Sequence, residues 1–165
     1  MRSDQRAHSR QIATSFATGR QERYAFAVAD QSDVRRIAMA LPSTVANEDR
    51  FGFAVRESNT GKGKAFVWAW VERVDRKPGV ERSDVVALRV ASELDKQVLI
   101  STDDRKFFTE PNYNSSAAVL VRLDEVALDE LEVLMVAAWR TQASAKQVAA
   151  FDAGPEFRAP KKPRR

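Results

Sequence analysis

The stretch KFFTEPNYNSSAAVLVRLDEVALDELEVLMVAAWR, Lys106 to Arg140, changes its period twice with hardly a residue between the changes. An aromatic and polar loop passes into a strand over Ala117 to Leu123, where Val119, Val121 and Leu123 fall on one face and Leu120 and Arg122 on the other. From Leu128 the period becomes helical: Leu131, Leu134, Met135, Ala138 and Trp139 line one side, and Asp129, Glu130 and Glu132 favour the N-terminal end of the helix dipole. A strand that feeds an amphipathic helix so directly must bury both apolar surfaces in one place. The chain has 165 residues and no second hydrophobic block, so the expected fold is a single compact two-layer α+β domain, an antiparallel β-sheet backed by helices.

The segments upstream supply the rest of that sheet. SDVRRIAMALP reads as a helix capped by Ser32, with Val34, Ile37, Ala38 and Leu41 on its apolar stripe and Pro42 as its stop. RFGFAVR alternates as a half-buried strand, ESNTGKG is a hairpin tip, and KAFVWAWVERV is the most apolar strand, with Phe66, Trp68 and Trp70 expected on one face. After the Pro78-Gly79 turn, SDVVALRV gives a third strand, completing a meander. Ser92 and Asp95 open a short helix. Three regions follow: residues 1–30 as a flexible N-terminal arm, 31–153 as the folded domain, and 154–165 as a disordered basic C-terminal tail. The two tryptophans have two readings, a base-stacking platform or a core surface covered by helices, and the second is the expectation.

Composition removes much chemistry. With no cysteine and a single histidine, His8 in the expected arm, neither a Ser-His-Asp triad nor a Cys-His pair nor a multi-His or Cys metal site can be built in the domain. No catalytic residue, cofactor or metal is proposed by any spacing, and GKGK lacks the Walker pattern. No apolar run approaches the ~20 residues that span a bilayer, and the N-terminus lacks the apolar core of a secretory signal, so a cytoplasmic protein without a membrane partner is expected. The net charge of +4 is matched by residues 155–165 alone, with five basic residues against one acid. The body from 31 to 154 is faintly acidic, with 17 basic against 19 acidic residues.

DVRRIAMALP, the central apolar strand and above all FFTEPNYNSSAAVLVRLDEVALDELEVLMVAAWR resemble the MmcQ/YjbR family of small bacterial proteins, over about residues 31 to 142. The resemblance implies an antiparallel sheet backed by helices, similar to a double-wing DNA-binding domain, and a DNA-binding role by structural analogy. Where members carry Pro-His-Tyr this chain has Pro111-Asn112-Tyr113, so any role for that histidine's proton is lost here, while Asn112 can still donate and accept hydrogen bonds.

The resulting expectation is a non-enzymatic DNA-binding protein whose contacts are mainly to phosphates, weak and salt-sensitive. The residues assigned to it are Lys62, Lys64, Arg73, Arg76 and Lys77 at the hairpin ends, with Lys161, Lys162, Arg164 and Arg165 in the tail. The alternative is an adaptor that binds a protein or small ligand through the 107–116 loop, with Phe108, Asn112, Tyr113 and Asn114 as contacts.

Overall fold

A computed structural model describes residues 28–57 and 60–163. Most of the expected N-terminal arm, and Arg164 and Arg165, lie outside the described residues. In chain order the elements are helix α1 (Gln31–Ala40), strands β1 (Thr44–Ala46), β2 (Gly52–Arg56), β3 (Gly63–Glu72) and β4 (Val80–Arg89), helix α2 (Glu93–Thr102), strands β5 (Phe107–Phe108) and β6 (Ala118–Arg122), and helices α3 (Leu128–Gln142) and α4 (Ala145–Asp152). The strands form one six-stranded antiparallel sheet in the order β1-β2-β3-β4-β6-β5. The protein is thus an α+β domain, as its sequence pattern requires.

The main core lies between the helices and one face of this sheet. Val34 and Ile37 of α1 and Leu131, Met135 and Trp139 of α3 meet Phe53, Val67, Val86, Leu88, Val119 and Val121, all almost fully buried. Burying a large apolar side chain contributes ~1.5–3 kcal/mol, so this layer supplies most of the drive to fold. Apolar residues of all four described helices belong to this cluster: Leu99 and Ile100 of α2 and Val148 and Phe151 of α4 pack against it too. One face of the sheet is therefore covered.

Several local expectations change. Asp30, not Ser32, caps α1: its carboxylate accepts from the Asp33 N–H (3.0 Å) and Asp33 accepts from the Asp30 N–H (3.2 Å), a reciprocal capping box. β1 and β5, of three and two residues, are too short to show a period in the sequence, and β5 falls inside the expected aromatic loop. The larger change is in β3. Val67 pairs with Phe53 and Ala65 with Ala54, so Phe66 is an extra residue with no partner, a β-bulge. It joins Val67 on the covered face, and strict alternation from Phe66 to the tryptophans fails. Trp68 pairs with Ala87 and, with Trp70, belongs to a second cluster that contains no residue of the four described α-helices. None of the four described helices covers the tryptophans.

The C-terminal segment also departs from the disordered tail expected of it. Residues 155–163 form no helix or strand, yet Phe157 packs on Phe151 (ring centroids 5.8 Å apart) and Ala159 touches the main core. Lys162 Nζ reaches Asp30 Oδ2 at 2.9 Å and Asp33 Oδ2 at 3.6 Å, and the Arg36 guanidinium donates to the Pro160 carbonyl. An apolar side chain and two carboxylates at the start of α1 hold the segment as a strap.

Candidate functional site

The strand register lays one row of residues across the uncovered face: Gly52, Trp68, Ala87, Leu120 and Phe108, each paired with the next. Val85, Ala87 and Leu120 form a buried floor, and the half-buried Trp68, Trp70, Phe108 and Tyr113 pack on it. Ala87 is the reason the large rings fit. A methyl group between Trp68 and Leu120 leaves room for indoles to lie over the sheet instead of standing apart. Trp70 meets Phe108 edge to face at 5.5 Å, and the Trp68 indole N–H donates to the Tyr113 hydroxyl at 3.1 Å.

Two arginines frame the rings. Arg89 lies over Trp68 at 5.2 Å from the ring centroid and Arg122 over Phe108 at 4.1 Å. Arg89 Nε donates to the Ala65 carbonyl (3.4 Å), and Arg122 Nη1 donates to the carbonyls of Asp104 (3.1 Å) and Arg105 (2.8 Å). Among the described residues neither forms an ion pair, whereas Arg36, Arg82, Arg105, Arg140 and Arg158 all do. Arg122 pairs with Val85, four residues before Arg89 on the same face of β4, so the backbone positions of the two arginines stand ~14 Å apart across the aromatic patch.

The 107–116 loop joins this face through Phe108 and Tyr113. It is held from below by Lys96 of α2, whose side chain is fully buried. The ammonium donates to the carbonyls of Tyr113 (2.5 Å) and Ser116 (3.1 Å), with Glu93 Oε2 at 3.5 Å. A buried charge is tolerated only where its donors are taken up, and here two loop carbonyls and one carboxylate take them. The loop's 3-10 turn, Pro111–Tyr113, is thereby fixed with Asn112 and Asn114 exposed. Sequence reading missed Lys96 because a lysine on a short helix ordinarily faces solvent.

The basic residues expected to bind phosphates do not make one patch. Lys62 and Lys64 lie at one end of β3 and Arg73, Arg76 and Lys77 at the other, so a ten-residue strand separates them by ~30 Å. Lys64 pairs across the strands with Val55, whose side chain is in the main core, and therefore faces the helix side. There its Nζ lies 2.9 Å from Glu57 Oε1, and the Lys64 and Thr60 hydrogen bonds hold the Glu57 carboxyl below its ordinary range. Lys64 also lines a cleft of about 840 Å³ with Arg56, Thr141, Ser144, Lys146 and Gln147, between the β2–β3 hairpin and the start of α4. Lys161 is exposed, while Lys162 is engaged in the strap. Burial pushes the Asp30 carboxyl up, but hydrogen bonds from Lys162, Ser32 and the Asp33 N–H outweigh it and hold the group well below the carboxylate range. At the far end of the sheet Arg82 bridges Glu72 and Asp84, each at 2.8 Å, and these hydrogen bonds raise the guanidinium further.

Among the described residues no group of three or more His, Cys, Asp or Glu side chains is placed to hold a metal ion, and no helix is long and apolar enough to cross a membrane.

No family model matches the chain. No solved structure matches it either. The uncharacterized protein Mb2600 of Mycobacterium bovis is 32% identical over 131 residues, covering 75% of this chain and 96% of the relative. The uncharacterized protein Rv2570 of Mycobacterium tuberculosis matches with the same identity and the same coverage. The match takes in nearly the whole of each relative, and the chain belongs to the family that these mycobacterial proteins represent.

Proposed function

We propose that this protein is a non-enzymatic nucleic-acid-binding module, of the MmcQ/YjbR type and cytoplasmic, whose binding surface is the uncovered face of the sheet. The observation that carries the reading is the set of four half-buried aromatic rings framed by Arg89 and Arg122, neither in an ion pair among the described residues. Aromatic faces stack on bases and guanidinium groups donate to phosphate oxygens, so this pairing suits a ligand that is flat and anionic. The faintly acidic body lacks the broad basic face that a purely phosphate-directed binder uses, which moves the centre of the proposal from the hairpin ends to the aromatic face.

Tryptophan emission during titration with oligonucleotides tests the proposal. Trp139 is fully buried and serves as an internal constant, so quenching reports Trp68 and Trp70. Saturable quenching is expected at ~50 mM salt, weakening as salt rises. Emission that stays flat with every oligonucleotide would falsify the proposal.

A second reading, an adaptor for a small ligand at the 107–116 loop, is favoured by one observation: Lys96 holds the loop so that Asn112 and Asn114 stand exposed beside Tyr113. A metabolite that raises the melting temperature of the protein, but not of an Asn112→Ala variant, supports it. The reading fails if no such ligand emerges.

A further inference from the structure

We infer that the uncovered face takes single-stranded nucleic acid in preference to duplex, an inference that rests on the nucleic-acid reading above. In a duplex the bases stack on one another and offer only their edges, through the grooves. The face of a ring is reached by a side chain only when the bases are unstacked, as in single strands. Trp68, Trp70 and Phe108 offer ring surface from a sheet, and none of the four described helices packs on that side to enter a groove. A duplex also needs cations over a wide area, and the five basic residues of the hairpin ends are divided by the length of β3, with Lys64 turned to the opposite side.

The single-strand fit follows from spacing and charge. Arg89 and Arg122, whose backbone positions are ~14 Å apart, bracket the rings over a length of at least two to four nucleotides, given about 3.4 Å per nucleotide when stacked and more when extended. A strand crossing from one arginine to the other places phosphates at both cations and bases on the rings between. Gly52 stands beside Trp68 in the cross-strand row and carries no side chain to wall off that flank. Charge complementarity therefore favours a polyanion with exposed flat groups over a second copy of this chain, which would set Arg89 and Arg122 against equal charges.

The test uses the full chain, a dye-labelled oligothymidylate, a mixed-sequence single strand and the duplex of that same sequence, compared by fluorescence polarisation at ~50 mM salt. Single strands are expected to bind at least ~10-fold more tightly than duplex, with Trp70→Leu weakening them ~5- to 150-fold, as loss of one stacked base does. Arg89→Gln should weaken binding several-fold and flatten its salt dependence. Circular dichroism of each variant confirms that it folds, and Arg89→Lys, which keeps the charge, should restore most of the salt dependence. Equal affinity for single strand and duplex, both lost in Trp70→Leu, overturns the strand preference and leaves the nucleic-acid reading standing. Binding that survives Trp70→Leu and Arg89→Gln but disappears when residues 161–165 are removed overturns both and moves the contact to the tail. No binding of any oligonucleotide, with a concentration-dependent dimer broken by Trp70→Leu, overturns both and assigns the face to self-association.

Discussion

On the covered face Trp139 has no exposed surface, packs 5.0 Å from Phe151 and donates its indole N–H to the Pro42 carbonyl at 3.0 Å. On the uncovered face Trp68 and Trp70 stay half-buried over alanine and valine, with Arg89 stacked on Trp68, Arg122 on the adjoining Phe108 and a tyrosine hydroxyl as the polar partner. Both faces are rich in aromatic residues, and hydrophobicity does not separate them. What separates them is the surroundings: Trp139 is enclosed in the main core against Phe151 and the Pro42 carbonyl, whereas Trp68 and Trp70 lie over small residues with Arg89 on Trp68 and Arg122 on the neighbouring Phe108, neither arginine in an ion pair among the described residues. One face is built to exclude water, the other to be desolvated by a ligand.

Substitutions can break or sharpen that contrast. The largest effect is expected from Trp139→Ala, which removes a fully enclosed ring and should cost ~3–5 kcal/mol in urea denaturation. Trp70→Ala, on the half-buried side, should cost less, ~1–2 kcal/mol, since part of that ring already meets water. Equal costs would show that the second face is core like the first. Next comes Lys96→Met, which leaves the Tyr113 and Ser116 carbonyls without their donor. It should cost ~2 kcal/mol and speed hydrogen exchange around residues 113–118. Unchanged exchange would mean that the lysine does not hold the aromatic loop.

A smaller effect is expected at the strap. The folded Asp30 carboxyl is held well below the ordinary value of ~3.9 for an unfolded aspartate, so over that interval the unfolded state binds more protons. Its contribution is complete above ~pH 4 and is lost as the pH falls through the folded value. Solvent screening keeps that contribution small, because the Lys162 and Asp30 side chains are about half exposed. Asp30→Asn retains a capping residue but loses the charge pair, so acid unfolding below ~pH 4 should become shallower and tryptic cleavage after Arg158 and Lys161 faster. Cleavage at an unchanged rate would remove the strap from the account. The smallest effect belongs to Arg89→Gln, ~0.5–1 kcal/mol of stability from its contact with Trp68, so that its expected effect on ligand binding exceeds its effect on folding.

The covered layer was legible because it rests on periods long enough to read: the α1 stripe, the β6 alternation and the α3 face all stand where their spacing puts them. Fold class followed from these. The uncovered face was not legible, for identifiable reasons. A single extra residue at Phe66 shifts the parity of β3, and nothing in FVWAW marks where the bulge falls. Arg122 was placed correctly opposite Val121, but its partner Arg89 lies on β4, the strand between those of Trp70 and Arg122, and only the register brings them onto one patch. Lys96 resembles any solvated lysine until the loop 17 residues later folds over it. The tail showed its charge in sequence but not its docking, which depends on Asp30, 132 residues away.

The most direct test of the claim that the uncovered face is the binding surface is a titration followed by the three indole N–H signals of nitrogen-15-labelled protein, one from each tryptophan. Adding a short single-stranded oligonucleotide should shift the Trp68 and Trp70 signals together and saturably while the Trp139 signal stays in place. Signals that do not move, or a shift confined to Trp139, would contradict the account.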